Sequence, residues 1–191
     1  MSARRRLFLI KHGRPHVVPE LPARQWTLSD EGLRQSERLA QWFRAHLPTQ
    51  VVSSLEPKAR ETGKVLASRL KLPFSPAPNL HEHQRENEPY FPDVAQFEAK
   101  VRDFFAEPSR LTFGEETADQ AHSRFSQAVN KVMDEYLIDD VALVAHGTVI
   151  ALLVSRANGL SPFPLWKALG FCGVIEVEWP SLKLVQVMER I

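Results

Sequence analysis

Residues 141–150 read Val-Ala-Leu-Val-Ala-His-Gly-Thr-Val-Ile. Five consecutive apolar residues, too few for a helix, are the pattern of a strand covered on both faces, and they stop at a His-Gly pair. Beyond the glycine, Ile150, Leu153, Val154 and Ala157 take up helical spacing until Gly159 supplies a C-terminal stop. The arrangement has a counterpart near the start of the chain, where Leu7-Phe8-Leu9-Ile10 runs into Lys11-His12-Gly13. Strands alternating with helices in this way predict a three-layer α/β sandwich, a mostly parallel sheet with helices on both faces. Ligands of such sheets bind beyond the carboxyl ends of the strands, which is where His12 and His146 stand.

Working outward, Ser29-Asp30-Glu31 opens a helix with Leu33, Ala40, Phe43 and Leu47 as its apolar positions, closed by Pro48. Val51-Val52 is a second buried strand; Ser53-Ser54 ends it, and a helix follows to about Leu70 with Lys58 in its first turn. From Pro73 to Pro92 the chain reads as a long loop that holds the ionisable run His81-Glu82-His83-Gln84-Arg85-Glu86. Val94, Phe97, Val101, Phe104 and Phe105 mark one amphipathic helix, and Ala121, Phe125, Ala128, Val129, Val132 and Tyr136 a longer one. Val174 to Trp179 and Leu182 to Met188 predict an edge hairpin around Pro180-Ser181.

A chain of 191 residues fits one domain over residues 1–191. Its 43% hydrophobic and 25% charged content excludes disordered and fibrous classes. A formal net charge of +1 provides no bulk field for nucleic acid or an anionic membrane, so neither is an expected partner. Arg4-Arg5-Arg6 reads as a solvated tail. The apolar run 141–154 is interrupted by His146-Gly147-Thr148 and is shorter than the roughly 20 residues of a membrane span. Cys172, the one cysteine, can form no internal disulfide, and no export signal is visible, so the expected location is the cytoplasm. The oligomeric state is left open.

A single histidine after a strand is most often structural, but two in the same context, with Lys11 beside one and Lys58 at a helix start, describe a phosphate site. An alternative is a metal site built on His81 and His83, which flank Glu82 at a spacing that puts both on one side of an extended chain. Trp26, Tyr90 and Phe91 fall in loops that could border a pocket.

The chain resembles the histidine phosphatase superfamily, in its phosphoglycerate-mutase-like branch. Lys11-His12-Gly13 is similar to that family's Arg-His-Gly, and Ser53-Ser54 with Lys58-Ala59-Arg60-Glu61-Thr62 to its Ser-Ser…Arg-Ala-x-x-Thr. Leu28-Ser29-Asp30-Glu31-Gly32 with Gln35, Leu80-His81-Glu82, Gly114-Glu115-Glu116 with Arg124, and Val144-Ala145-His146-Gly147 follow in the family's order. The resemblance implies a metal-independent phosphomonoesterase without a cofactor, acting on a small soluble phosphate ester. By it His12 becomes phosphorylated, Glu82 is the general acid, and Lys11, Lys58 and His146 hold the phosphate.

The departure lies in two lysines where the family has arginines. An ammonium is a point charge, whereas a guanidinium grips phosphate through two parallel bonds. Arg14 and Arg85 are the candidates to replace the missing guanidinium groups at the substrate. The lysines also keep open a rival reading, a weakly catalytic or non-catalytic module that binds phosphate ligands or proteins on the same fold. A mutase is disfavoured, because Arg14-Pro15-His16-Val17-Val18 stands where that branch's mutases carry Glu-Ser-x-x-Asn.

Overall fold

The structure, a computed structural model, describes residues 5–190. Its centre is strand β1 (Arg5–Lys11), in which Leu7 and Leu9 join one apolar core and Phe8 and Ile10 the other, all four fully buried. β2 (Gln50–Ser54), β3 (Phe74–Ala77), β4 (Val141–Ala145), β5 (Val174–Trp179) and β6 (Lys183–Met188) complete a six-stranded sheet in the order β3-β2-β4-β1-β5-β6. The first four strands of that order are mutually parallel, and the hairpin β5–β6 is antiparallel, with β6 at the edge. The expected α/β sandwich with a mostly parallel sheet is therefore present.

Helices α1 (Asp30–Phe43) and α2 (Pro57–Leu70) cover the Phe8–Ile10 face. On the other face lie α3 (Val94–Ala106), α4 (Ala118–Glu135), α5 (Gly147–Asn158) and the short α6 (Pro162–Ala168). A full capping box starts α4, with the Thr117 side chain and Gln120 satisfying each other's backbone N–H groups. Gly159 ends α5 in the left-handed region at φ 64°, a conformation that costs glycine nothing. The register that matters for function is Lys11 opposite Ala145 in the β1–β4 pair: the next residues, His12 and His146, leave adjacent strands at the same level.

Several expectations need correction. Ala40 and Phe43 are buried as expected, but Leu33 and Leu47 are exposed; α1 stops at Phe43, and Gly32, Ser36 and Leu39 complete its buried face. Val94, at the first position of α3, is exposed. The stretch 73–92 is not all loop, since Phe74–Ala77 pairs with β2, and Pro76 is tolerated because β3 is an edge strand. The sequence reading does not anticipate α6. Arg5 and Arg6 are no tail: Arg5 donates to the carbonyls of Met133 and Tyr136, tying β1 to the end of α4, and Arg6 pairs with Asp140 in the turn before β4. Arg4 lies outside the described residues. No helix among the described residues is long and apolar enough to cross a membrane.

Candidate active site

His12 and His146 meet edge to face, with ring centroids 5.2 Å apart. His12 is anchored by its backbone N–H to Ala145 O, 3.1 Å, and its Nδ1 lies 2.7 Å from the carbonyl oxygen of Gly13. A carbonyl only accepts, so Nδ1 carries the proton and Nε2 keeps its lone pair. Burial, then Lys58 and His146, push the His12 pKa well below the usual imidazole value, leaving a neutral ring. Its turn is braced from below: Gly13 N donates to Thr62 Oγ1, which itself donates to Lys58 O. Glycine is required at this turn, because a Cβ on Gly13 would stand 2.6 Å from Gly32 O.

His146 occupies the N-cap position of α5, is fully buried, and has no hydrogen-bond partner on either ring nitrogen among the described residues. Burial and then Lys58 push its pKa well down, so it too is neutral at rest. Lys11 extends along the floor, donating to Leu169 O at 2.8 Å, with its ammonium 5.0 Å from the Phe171 ring centroid. Burial lowers its pKa to about 8 against a restraining pull from Glu82.

Two expected roles, those of Lys58 and Glu82, meet a different geometry. Lys58 does not present a free ammonium: Nζ donates to Ala23 O at 2.6 Å and to Glu56 Oε2 at 2.5 Å. The first turn of α5 is not an empty anion cradle, because Glu82 fills it, accepting from Thr148 N at 3.2 Å and Val149 N at 3.3 Å. Burial raises the Glu82 pKa, but His146, Arg85 and the backbone donors outweigh it and hold the carboxyl below its usual value. Thus the expected general acid rests as a carboxylate.

The loop that carries Glu82 is clamped from α4. Arg124 donates to the carbonyls of Asn79, His81 and Glu82 and pairs with Glu116 at 2.6 Å, while Glu116 accepts from Gln84 N. Gly114, at φ 80°, allows the strand of loop beside it to come close; a Cβ there would lie 2.3 Å from Gln84 O. Arg85 lines the cavity with its guanidinium 4.7 Å from the Phe97 centroid, whereas Arg14 is exposed outside it, over Phe171. His81 and His83 both border the cavity, and the His83 ring packs against Phe104 and Phe113 of the core. Among the described residues no three His, Cys, Asp or Glu side chains converge as a metal ion would require.

These groups surround a cavity of about 740 Å³ whose outer walls include Trp26, Phe97, Trp166 and Phe171. Trp26 meets Tyr90 edge to face, and Phe91 packs on Phe97 and Phe113. Arg24 and Glu86 pair at 2.9 Å between the two loops that line the cavity. Sequence reasoning missed Glu56, a carboxylate that is 8% exposed within this cavity. A charged residue two positions after the Ser53-Ser54 strand end and two before Lys58 was the available sign.

The fold has clear counterparts among solved structures. A protein described as mycobacterial hydrolase 1 matches with TM-score 0.75 and 20% identity, over 98% of this chain and 100% of that one. Mycobacterial glucosyl-3-phosphoglycerate phosphatase matches with TM-score 0.72 and 20% identity, over 96% of each chain. The α-ribazole phosphatase of Shigella flexneri matches with TM-score 0.71 and 19% identity, over 96% of each chain. No curated protein matches the sequence. The model of the histidine phosphatase superfamily (branch 1) matches residues 7–186, from the first core strand to the last, and with the two facing histidines it establishes that the chain belongs to that superfamily.

Proposed function

We propose that this protein is a phosphomonoesterase that works through a phosphohistidine on His12. The observation that carries this is the His12 tautomer: Gly13 O holds the Nδ1 proton and leaves Nε2 unprotonated beside His146 at the ends of two paired strands. An imidazole that is neutral and desolvated, with a fixed lone pair, is a ready nucleophile for phosphorus.

In the first half-reaction Nε2 attacks phosphorus as the P–O bond to the leaving group breaks, and the leaving oxygen takes a proton from Glu82. Because Glu82 rests ionised, it must first gain that proton; the negative charge of an arriving phosphate favours this, as any like charge beside a carboxylate does. In the second half-reaction the regenerated carboxylate takes a proton from water as the water oxygen attacks phosphorus and the P–N bond breaks. Lys11 bears charge on the phosphoryl oxygens, and His146, neutral in its buried position, offers them one ring N–H as a hydrogen-bond donor.

A cavity of about 740 Å³ is far larger than a phosphoryl group, and its aromatic walls suit an ester with an organic part of considerable size. Two of the structural relatives named above are described as a glucosyl-3-phosphoglycerate phosphatase and an α-ribazole phosphatase, which fits a soluble small-molecule ester here. A second reading, a phosphate-binding module with weak turnover, draws support from Lys58 being tied to Ala23 and Glu56. Rapid acid-free quenching with a phosphorus-labelled aryl phosphate separates the two. A base-stable, acid-labile label on the wild type that is absent from His12→Ala supports the enzyme, and binding without any label supports the module.

A further inference from the structure

A carboxylate at the bottom of a phosphate pocket works against the ligand, so its presence calls for an account. Glu56 is the N-cap residue of α2, yet its side chain makes no capping bond. Pro57 follows it at the first helical position, so the carboxylate is directed across the cavity floor instead. Both oxygens are spent there. Oε2 accepts from Lys58 Nζ; Oε1 accepts from Glu82 N at 2.9 Å and lies 3.5 Å from His146 Nε2. Lys58 in turn gives another proton to Ala23 O, in the single 3-10 turn Ala23–Gln25 that lines the cavity.

The charged and titratable groups that face Glu56 are Lys58, His146, His81, Arg85 and Glu82. With both site imidazoles neutral and Arg24 paired with Glu86, three further cations of the cavity (Lys11, Lys58 and Arg85) stand against two carboxylates (Glu56 and Glu82), leaving one unit of positive charge around His12. A phosphate monoester loses its second proton near pH 6, so it presents one negative charge below that pH and two above it. One unit of positive charge balances the first form and not the second. The singly charged form also brings a P–OH proton, which can pass to the ionised Glu82 and from there to the leaving oxygen, so no further proton is needed from solvent.

We propose that Glu56 is a specificity-determining residue: by tying down the Lys58 ammonium it sets this pocket for the singly charged form of a phosphate group. The proposal deepens the phosphomonoesterase reading and rests on it for turnover, but its binding half stands without catalysis. It also gives Lys58 a reason to be lysine, since a compact ammonium reaches both Ala23 O and Glu56 from one atom.

The test compares wild type with Glu56→Gln, which keeps shape and the acceptor for Glu82 N while removing the charge, and with Glu56→Leu in case the first variant does not fold. Thermal melting reports folding for each. Between pH 5 and 7.5, kcat/KM for an aryl phosphate should fall in the wild type as the ester loses its second proton. In the variants the falling limb moves upward, and kcat/KM at pH 7.5 rises on the order of tenfold, chiefly through KM, because the freed Lys58 ammonium adds one charge-assisted hydrogen bond to the phosphate. Calorimetric titration with inorganic phosphate should show the same rise in affinity at pH 7.5 and little at pH 5. A profile in the variants that parallels the wild type, or phosphate affinity that is unchanged or weaker at pH 7.5, overturns the proposal. If nothing is hydrolysed but the calorimetric shift is present, charge selection holds and the phosphatase reading fails; if hydrolysis proceeds without the shift, the phosphatase reading holds and charge selection fails.

Discussion

Replacing Lys11 by arginine isolates the contribution of one buried ammonium. In the wild type the Lys11 pKa is brought to about 8 by burial, so raising the pH past that point removes a charge from beside His12. If phosphate binds only to the protonated amine, affinity falls roughly tenfold for each further pH unit, or about 30-fold between pH 7 and 9.5, near 2 kcal/mol. An arginine keeps its charge throughout that range, so Lys11→Arg should hold its affinity. Gly147 leaves the space: a Cβ there would sit only 3.4–3.5 Å from the outer carbons and nitrogen of Lys11. The assay is calorimetric titration of inorganic phosphate into both proteins at pH 7, 8, 9 and 9.5, read as the ratio of the two affinities so that the ligand's own ionisation cancels. A ratio that stays constant across the series would refute the reasoning, since it would mean that Lys11 either keeps its proton or does not meet the phosphate.

His12→Ala should abolish hydrolysis and labelling, while Glu82→Gln should cost an alkyl phosphate far more than an aryl one, because a good leaving group needs little protonation; equal losses in kcat/KM would remove Glu82 as the acid. Three buried histidines, His12, His83 and His146, have pKa values lowered first by burial, so the folded state binds fewer protons than the unfolded one and stability falls as the pH drops below about 6.5, by up to about 1.4 kcal/mol per pH unit per group. Replacing His83 with leucine should therefore make the acid limb shallower, by at most one proton, in denaturant unfolding between pH 5 and 7.5, and an unchanged slope would show that His83 does not contribute. Arg124→Ala breaks a pair whose side chains are 16% and 8% exposed and frees three loop carbonyls, so a loss of roughly 3–5 kcal/mol or a large fall in kcat is expected from melting and steady-state kinetics.

The parts of this molecule that were legible in the sequence are those fixed by short-range rules. Continuous apolar runs ending in His-Gly announced β1 and β4, and because the two strands pair in parallel with Lys11 opposite Ala145, their histidines had to meet. β3 was hidden because Pro73, Pro76 and Pro78 look like loop punctuation, and only the neighbouring β2 shows that its exposed edge makes Pro76 harmless. α6 spans seven residues, too few for a helical period to emerge. Arg5 and Arg6 looked like a tail because their acceptors, the Met133 and Tyr136 carbonyls and Asp140, are remote in sequence. What sequence could not supply was where long charged side chains end: Lys58 was placed at the right helix start, but its ammonium faces Ala23 and Glu56.

The two lysines at the family's arginine positions therefore solve different problems. Lys11 sits between Leu169 O and the face of Phe171, both of which accept a compact cation without fixing its angle, so its charge can be shared with a phosphate oxygen. Lys58 is already committed, and a phosphate that draws it away must compete with a buried carboxylate and a backbone carbonyl at once. Releasing Ala23 O would also loosen the 3-10 turn Ala23–Gln25, where Arg24 holds Glu86 of the loop that carries Glu82. Phosphate charge, Lys58 position and the order of both loops are in this way linked through one ammonium. A ligand with a single negative charge can be accommodated by Lys11 and leave that link intact, keeping Glu82 seated on α5, whereas a doubly charged one gains its second cation only by disturbing the loop that carries Glu82, the proposed proton donor.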